Sequence, residues 1–190
     1  MASPVADVAY EAHRLIVDTG APFEEFRERY ERAVPALDTP LFEQFMEEDA
    51  DWSTVQRATD QNAPHGFLIY WSFDNTALLR LAGDRWRSVQ YLMGNHTIAQ
   101  RMFHHDPAVM LYAPLRTEIY QDAEGVTRFA IDRPSAQFGG FGDPAITAVG
   151  IELDHEVAAL LEFLGAPVPE QLTDGHSAPG APGSTRPNSS

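Results

Sequence analysis

Three of the chain's seven histidines lie in GNHTIAQRMFHHD, residues 94–106, beside an asparagine and an aspartate. Imidazoles grouped in this way could hold a metal ion or exchange protons near neutral pH. Two metal ligands on one helix need a spacing of three or four residues, and no two of His96, His104 and His105 have it. At about 100° per residue, His96 and His105 fall near opposite margins of the apolar face formed by Ile98, Ala99, Met102 and Phe103. His104 points away from that face. The three do not converge, so no metal is expected. His104 and His105 read as solvated residues at the negative end of a helix dipole.

His96 stands apart because it falls in the first turn of a helix that begins where a buried strand ends. Backbone amides there could hold a carboxylate or carbonyl oxygen, and a neutral imidazole could serve as acid or base. The plain alternative is that Gly94, Asn95 and His96 only make the turn and the cap. Arg116 is the natural clamp for a carboxylate or phosphate, since a guanidinium binds such groups through two parallel bonds; a structural ion pair is its other reading. Asn95, Tyr112 and Asp132 are candidate ligand contacts near the strand ends. Phe138 and Phe141 ride on the glycine-rich FGGFG, which reads as a loop able to close over a pocket.

The elements that must position these residues follow from hydrophobic periodicity. EAHRLIVDT alternates as a strand. APFEEFRERYERAV places Phe23, Phe26, Tyr30 and Val34 at helical spacing, and DTPLFEQFMEED predicts a second helix with Thr39 as its cap. Ser53 could cap a short helix through Arg57. GFLIYWSFD predicts a central strand with Phe67, Ile69, Trp71 and Phe73 on one face, and RSVQYLMG predicts another with Val89, Tyr91 and Met93 together. PLRTEIYQDAEGVTRFAID predicts a hairpin turning at Gly125, with Leu115, Thr117 and Ile119 opposite Ile131, Phe129 and Thr127, and with Glu118 facing Arg128. RPSAQFGGFG reads as a loop. DPAITAVGIELDHEVAALLEFLG predicts the longest helix, capped by Asp143 and stopped at Gly165. The expected architecture is α+β: a single mixed sheet of about five strands covered by helices, occupying residues 1–165 as one domain. Residues 166–190, rich in Pro, Gly and Ser, are expected to form a disordered tail.

Composition removes whole classes of chemistry. All 13 basic residues are arginine, so Schiff-base, pyridoxal and Walker-type lysines are excluded. No cysteine is present, which excludes thiol nucleophiles, disulfides and iron–sulfur ligation. A net charge of -15 repels phosphate backbones and anionic lipid, so neither nucleic acid nor membrane is an expected partner. The opening MASPVADVAYEAH lacks a basic start followed by an apolar run, so a soluble cytoplasmic protein is expected. Haem or metal held by histidines from separate elements finds no support in their spacing, and no cofactor is expected.

The run YLMGNHTIAQRMFHHDPAVMLYAPLRTEIYQDAEGVTRFAIDRPSAQF, followed by the long helix, resembles the bacterial domain of unknown function 302 family, also called TT1751-like. The features are Gly94-Asn95 after a strand, the apolar helix, the Ala113-Pro114-Leu115-Arg116 entry to the hairpin, and Pro134-Ser135 after it. Residues 65–165 carry the resemblance, with His96 standing where the family's proline is expected. The resemblance implies a compact α+β fold and no agreed catalytic residues.

Two functions fit these residues. One is a small-molecule site, with a partly apolar metabolite and metal-free acid/base chemistry such as isomerisation, dehydration or cyclisation. The other is a non-catalytic ligand-binding or homodimeric scaffold protein. The first requires His96 and Arg116 to share a concavity; the second would separate them and gather exposed aromatics into a flat patch.

Overall fold

Five of the alternating segments form strands of one sheet in the computed structural model, which describes residues 5–174. They are β1 (Arg14–Asp18), β2 (Leu68–Asp74), β3 (Ser88–Gly94), β4 (Leu115–Gln121) and β5 (Thr127–Asp132), in the order β1-β5-β4-β3-β2. Every neighbouring pair is antiparallel, where mixed directions were expected. Among the described residues, parallel pairing is confined to an isolated bridge between Ala36 and Ile69.

Seven α-helices and three short 3-10 helices complete the described chain; the α-helices are α1 (Phe23–Ala33), α2 (Thr39–Glu47), α3 (Trp52–Asn62), α4 (Asn75–Leu79), α5 (His96–Phe103), α6 (Pro134–Gly139) and α7 (Pro144–Phe163). The α7 cap is the expected one, with Asp143 accepting from the amides of Ala145 and Ile146. Asp38 rather than Thr39 caps α2. The third helix begins at Trp52 and runs past Arg57 to Asn62.

One face of the sheet carries the core. Val17, Val89, Tyr91, Met93, Leu115, Ile119, Phe129 and Ile131 pack there with Phe26 and Tyr30 of α1 and with Ile146, Val157, Leu160 and Leu161 of α7. Burying each large side chain of this kind stabilises the fold by about 2 kcal/mol. Tyr30 is fully buried, and its hydroxyl meets Thr117 Oγ1 at 3.1 Å. The other face carries Arg14, Ile16 and Asp18 of β1 and Arg128, Ala130 and Asp132 of β5. Arg116, Glu118, Tyr120, Gln90, Leu92, Trp71 and Phe73 continue it across β4, β3 and β2. None of these side chains is buried.

Several expectations change once the chain is folded. β2 is an edge strand, not a central one, and a bulge between Ile69 and Trp71 shifts its register against β3. The inserted residue reverses the alternation, so Ile69 pairs with Met93 on the core face while Trp71 and Phe73 pair with Leu92 and Gln90 on the open one. The hairpin pairs Thr117 with Ile131 and Ile119 with Phe129, two residues away from the expected register. Asp122 explains the slip: its Oδ1 accepts from the amides of Glu124 and Val126, which holds a wider turn. A two-residue slip keeps the faces, but it sets Glu118 opposite Ala130, and Arg128 binds Asp122 and Asp18 instead. Residues 134–139 form α6 rather than a loop, so Phe138 is fully buried and cannot act as a mobile lid. The segment after Gly165 packs as far as it is described, burying Ala166 and Leu172. The rest of the expected tail, with His176 and Arg186, lies outside the described residues.

Candidate functional site

A cavity of about 140 Å³ opens where β3 leads into α5 and β4 begins. Its walls are Ile98, Ala99 and Met102 of α5, Met110, Ala113, Pro114 and Leu115 before and in β4, Phe138 of α6 and Leu153 of α7. Tyr70, Asn95 and His96 supply the polar atoms of its rim. Gly94 permits the close approach that shapes the entrance, because a Cβ there would sit 3.2 Å from Pro114 Cβ and 3.3 Å from its Cα. Asn95 then caps α5, its Oδ1 accepting from the amides of Thr97 and Ile98. Its Nδ2 donates to the Gly66 carbonyl, so the side chain is occupied by structure.

His96 is the first residue of α5, and both of its ring nitrogens are engaged. Nδ1 lies 2.6 Å from the Tyr70 hydroxyl, and Nε2 lies 2.7 Å from Thr59 Oγ1. The direction of these bonds follows from proton counting. Thr59 is fully buried and donates its only hydroxyl proton to the Val55 carbonyl at 2.8 Å, so toward His96 it can only accept. Nε2 therefore carries the imidazole proton, Nδ1 is the acceptor, and Tyr70 donates to it. The chain of bonds reads Tyr70 to His96 to Thr59 to Val55, every member neutral.

Burial agrees with that assignment. It holds the His96 imidazole below its ordinary pKa. It also pushes the Tyr70 phenol up to about 12, against the downward pull of the His96 backbone amide. Phe42 of α2 stands edge-on to the imidazole at 4.6 Å between centroids and restricts its rotation. The Tyr70 oxygen has spent its proton on His96, so toward any further group it can only accept. A proton given to Tyr70 can pass on to Nδ1 of His96.

The other residues singled out in the sequence scatter. Phe138 forms a wall of the cavity as a fixed core residue. Tyr112 and Phe141 pack edge to face at 6.0 Å, outside the cavity lining. Asp132 accepts from Arg14 Nε at 3.2 Å on the open face of the sheet. Arg116 is on that face too, exposed, so it shares no concavity with His96. Two members of the constellation are not legible in the sequence. Tyr70 reads in sequence as an ordinary strand residue, and only the bulge turns it to His96; Thr59 sits in the segment with the weakest periodicity. Among the described residues, no group of three or more His, Cys, Asp or Glu side chains could hold a metal ion, and no helix is long and apolar enough to cross a membrane.

Beneath the cavity a buried ion pair fixes α6 on α7. Asp154 is 2% exposed and accepts from Arg133 Nε and from the Ser135 amide, each at 2.9 Å. This pair holds α6 on α7 and with it Phe138, the α6 residue that forms a wall of the cavity.

Comparison with known proteins gives a family and a fold. The family model described as "Domain of unknown function DUF302" matches residues 51–164, which include α3, the bulge, the whole cavity lining and α7. Among solved structures, an uncharacterized conserved DUF302 protein from Bacillus stearothermophilus is similar at 21% identity with a TM-score of 0.57. That match covers 80% of this chain and 97% of the other. No curated protein matches.

Proposed function

Because the chain belongs to the DUF302 family, whose description assigns no activity, we propose from the site alone that it binds a small, mostly apolar molecule carrying one hydrogen-bond donor. The carrying observation is the neutral Tyr70–His96–Thr59 chain at the rim of a cavity whose walls are otherwise apolar. Sites of this composition take ligands that bury an apolar body and are oriented by a few polar atoms. A cavity near 140 Å³ is of the size that accepts a benzene-sized group. The donor is a hydroxyl or N–H, because Tyr70 presents a lone pair and not a proton. With Arg116 on the open face of the sheet the carboxylate clamp is absent, so a metal-free acid/base step falls to Tyr70 and His96 alone: Tyr70 accepts an acidic proton of the bound molecule while passing its own to His96.

Phenol and anisole test this directly, since they share a ring and differ in the donor. Titration followed by ligand-observed NMR should show phenol binding at least fivefold more tightly than anisole. Ala99→Phe, which fills the cavity, should abolish both, and Arg116→Ala on the opposite face should change neither. Equal binding to the Ala99→Phe variant, or no preference for phenol, overturns the reading. A second reading, a homodimeric scaffold, draws on a separate observation, the exposed Trp71–Phe73 pair on the open face; it is compatible with a ligand site.

A further inference from the structure

The open face of the sheet has the features of a surface made to be covered. Trp71 and Phe73 are 45% and 40% exposed, and their rings stack at 5.9 Å with only 6° between planes. Ile16, at the other edge, is 56% exposed. A stacked aromatic pair left open on a flat face marks an interaction site. We propose that this face packs against the same face of a second copy, about a two-fold axis that crosses β4 near Thr117.

Charge selects the second copy. The chain as a whole carries -15, so two copies repel over most of their surfaces. On the open face the signs cancel: Arg14, Arg116 and Arg128 against Asp18, Glu118 and Asp132. Arg14 pairs with Asp132, and Arg128 pairs with Asp18, within the chain. That leaves Arg116 without an acidic partner among the described residues, and Glu118 with only the hydroxyl of Ser88 on the neighbouring strand β3.

The register supplies the geometry. Arg116, Leu92 and Trp71 form one cross-strand row, and Glu118, Gln90 and Phe73 form the next. A two-fold axis lying between the packed faces and running between those rows reverses each strand and exchanges the rows. Arg116 of one copy then meets Glu118 of the other, twice, and Trp71 meets Phe73, twice. Such an interface is isologous and closes on itself, so it stops at a dimer. Strands spaced about 4.8 Å and rising about 3.3 Å per residue make five of them a face of roughly 24 by 20 Å. That plane of roughly 480 Å² before side-chain relief puts the dimer among the small interfaces, below the ~800 Å² that each partner of a standard one buries. Two sheets meeting at about -30° form the usual sandwich.

The test is the mass of the full chain in solution by light scattering and sedimentation over a wide concentration range. The expected result is twice the 21.1 kDa chain mass. Arg116→Glu and Glu118→Arg should each weaken the dimer at least tenfold, and the double exchange should restore it, because opposite charges meet again. Trp71→Asp, with unchanged circular dichroism, should give monomer. A native monomer at every concentration overturns the proposal, as does a dimer that Arg116→Glu and Trp71→Asp leave intact. A double exchange as weak as its single variants overturns the placement of the axis. None of these outcomes bears on phenol binding at the cavity, so the two readings fail separately.

Discussion

Replacing Tyr70 with phenylalanine deletes one oxygen and should disturb both stability and the state of His96. The lost bond is the 2.6 Å contact to Nδ1, and a hydrogen bond of this kind has a net worth of about 1 kcal/mol. The nitrogen left behind is half-buried, so part of its desolvation penalty is added, while the cavity mouth lets water recover some of it. The expected loss is about 1–2 kcal/mol, read as a lower urea midpoint with an unchanged slope. Long-range ¹H–¹⁵N spectra of the imidazole supply the sharper readout. In the parent protein Nε2 should carry the proton and Nδ1 should be the bare nitrogen. In the variant Nδ1 loses its donor, the neutral form loses support, and the His96 pKa should rise. A stability change under about 0.5 kcal/mol, together with an unaltered imidazole spectrum, would refute the directional chain of bonds.

Other perturbations have equally definite outcomes. Burial lowers the His96 pKa in the fold, so below the ordinary value of about 6.5 the unfolded chain binds more protons than the folded one. Stability should therefore be complete above that pH and fall as the pH drops from it toward the depressed folded value; His96→Phe should flatten this part of the curve in denaturation series at graded pH. Asp154→Ala leaves Arg133 without its buried counter-charge and the Ser135 amide without its acceptor. A loss of about 3–5 kcal/mol is expected by chemical denaturation, and a loss below about 1 kcal/mol would show the pair to be dispensable. Gly150→Val forces side-chain atoms against α6, where even a Cβ would lie 3.1 Å from Phe138 Cβ and from Ser135 Cα. Thermal unfolding should show a loss of about 1–3 kcal/mol, and phenol binding should weaken as Phe138 moves.

The sequence by itself determined what local periodicity and local chemistry can determine. The strips of apolar residues in α1, α5 and α7 and the alternation in β1, β3, β4 and β5 specify element type and inward face, because a helix or strand presents its neighbours at a set period. Asn95 and Asp143 are legible as caps because a short acceptor before an apolar helix does one job well. The exclusion of thiol and lysine chemistry needs only the composition. His96 was visible as a residue at a strand end and helix start, but its partners were not.

What the tertiary structure decided depends on contacts between distant segments. The bulge in β2 is a one-residue mismatch with β3, so nothing within GFLIYWSFD announces that Tyr70 leaves the alternation or that Trp71 and Phe73 cross to the open face. Thr59 meets His96 only because α3 packs beside α5, and Arg133 meets Asp154 only because α6 folds onto α7. Residues 134–139 became helical for the same reason: the glycines that follow favour a loop in isolation, and burial of Phe138 against α7 outweighs that preference. Arg116 was separated from His96 by the pleat itself, which turns it to the open face of β4 while Leu115 beside it faces the cavity. Side-chain type sets which chemistry is available to the chain. Register and packing set which of those side chains meet, because each such meeting is a property of two segments and is written in neither alone.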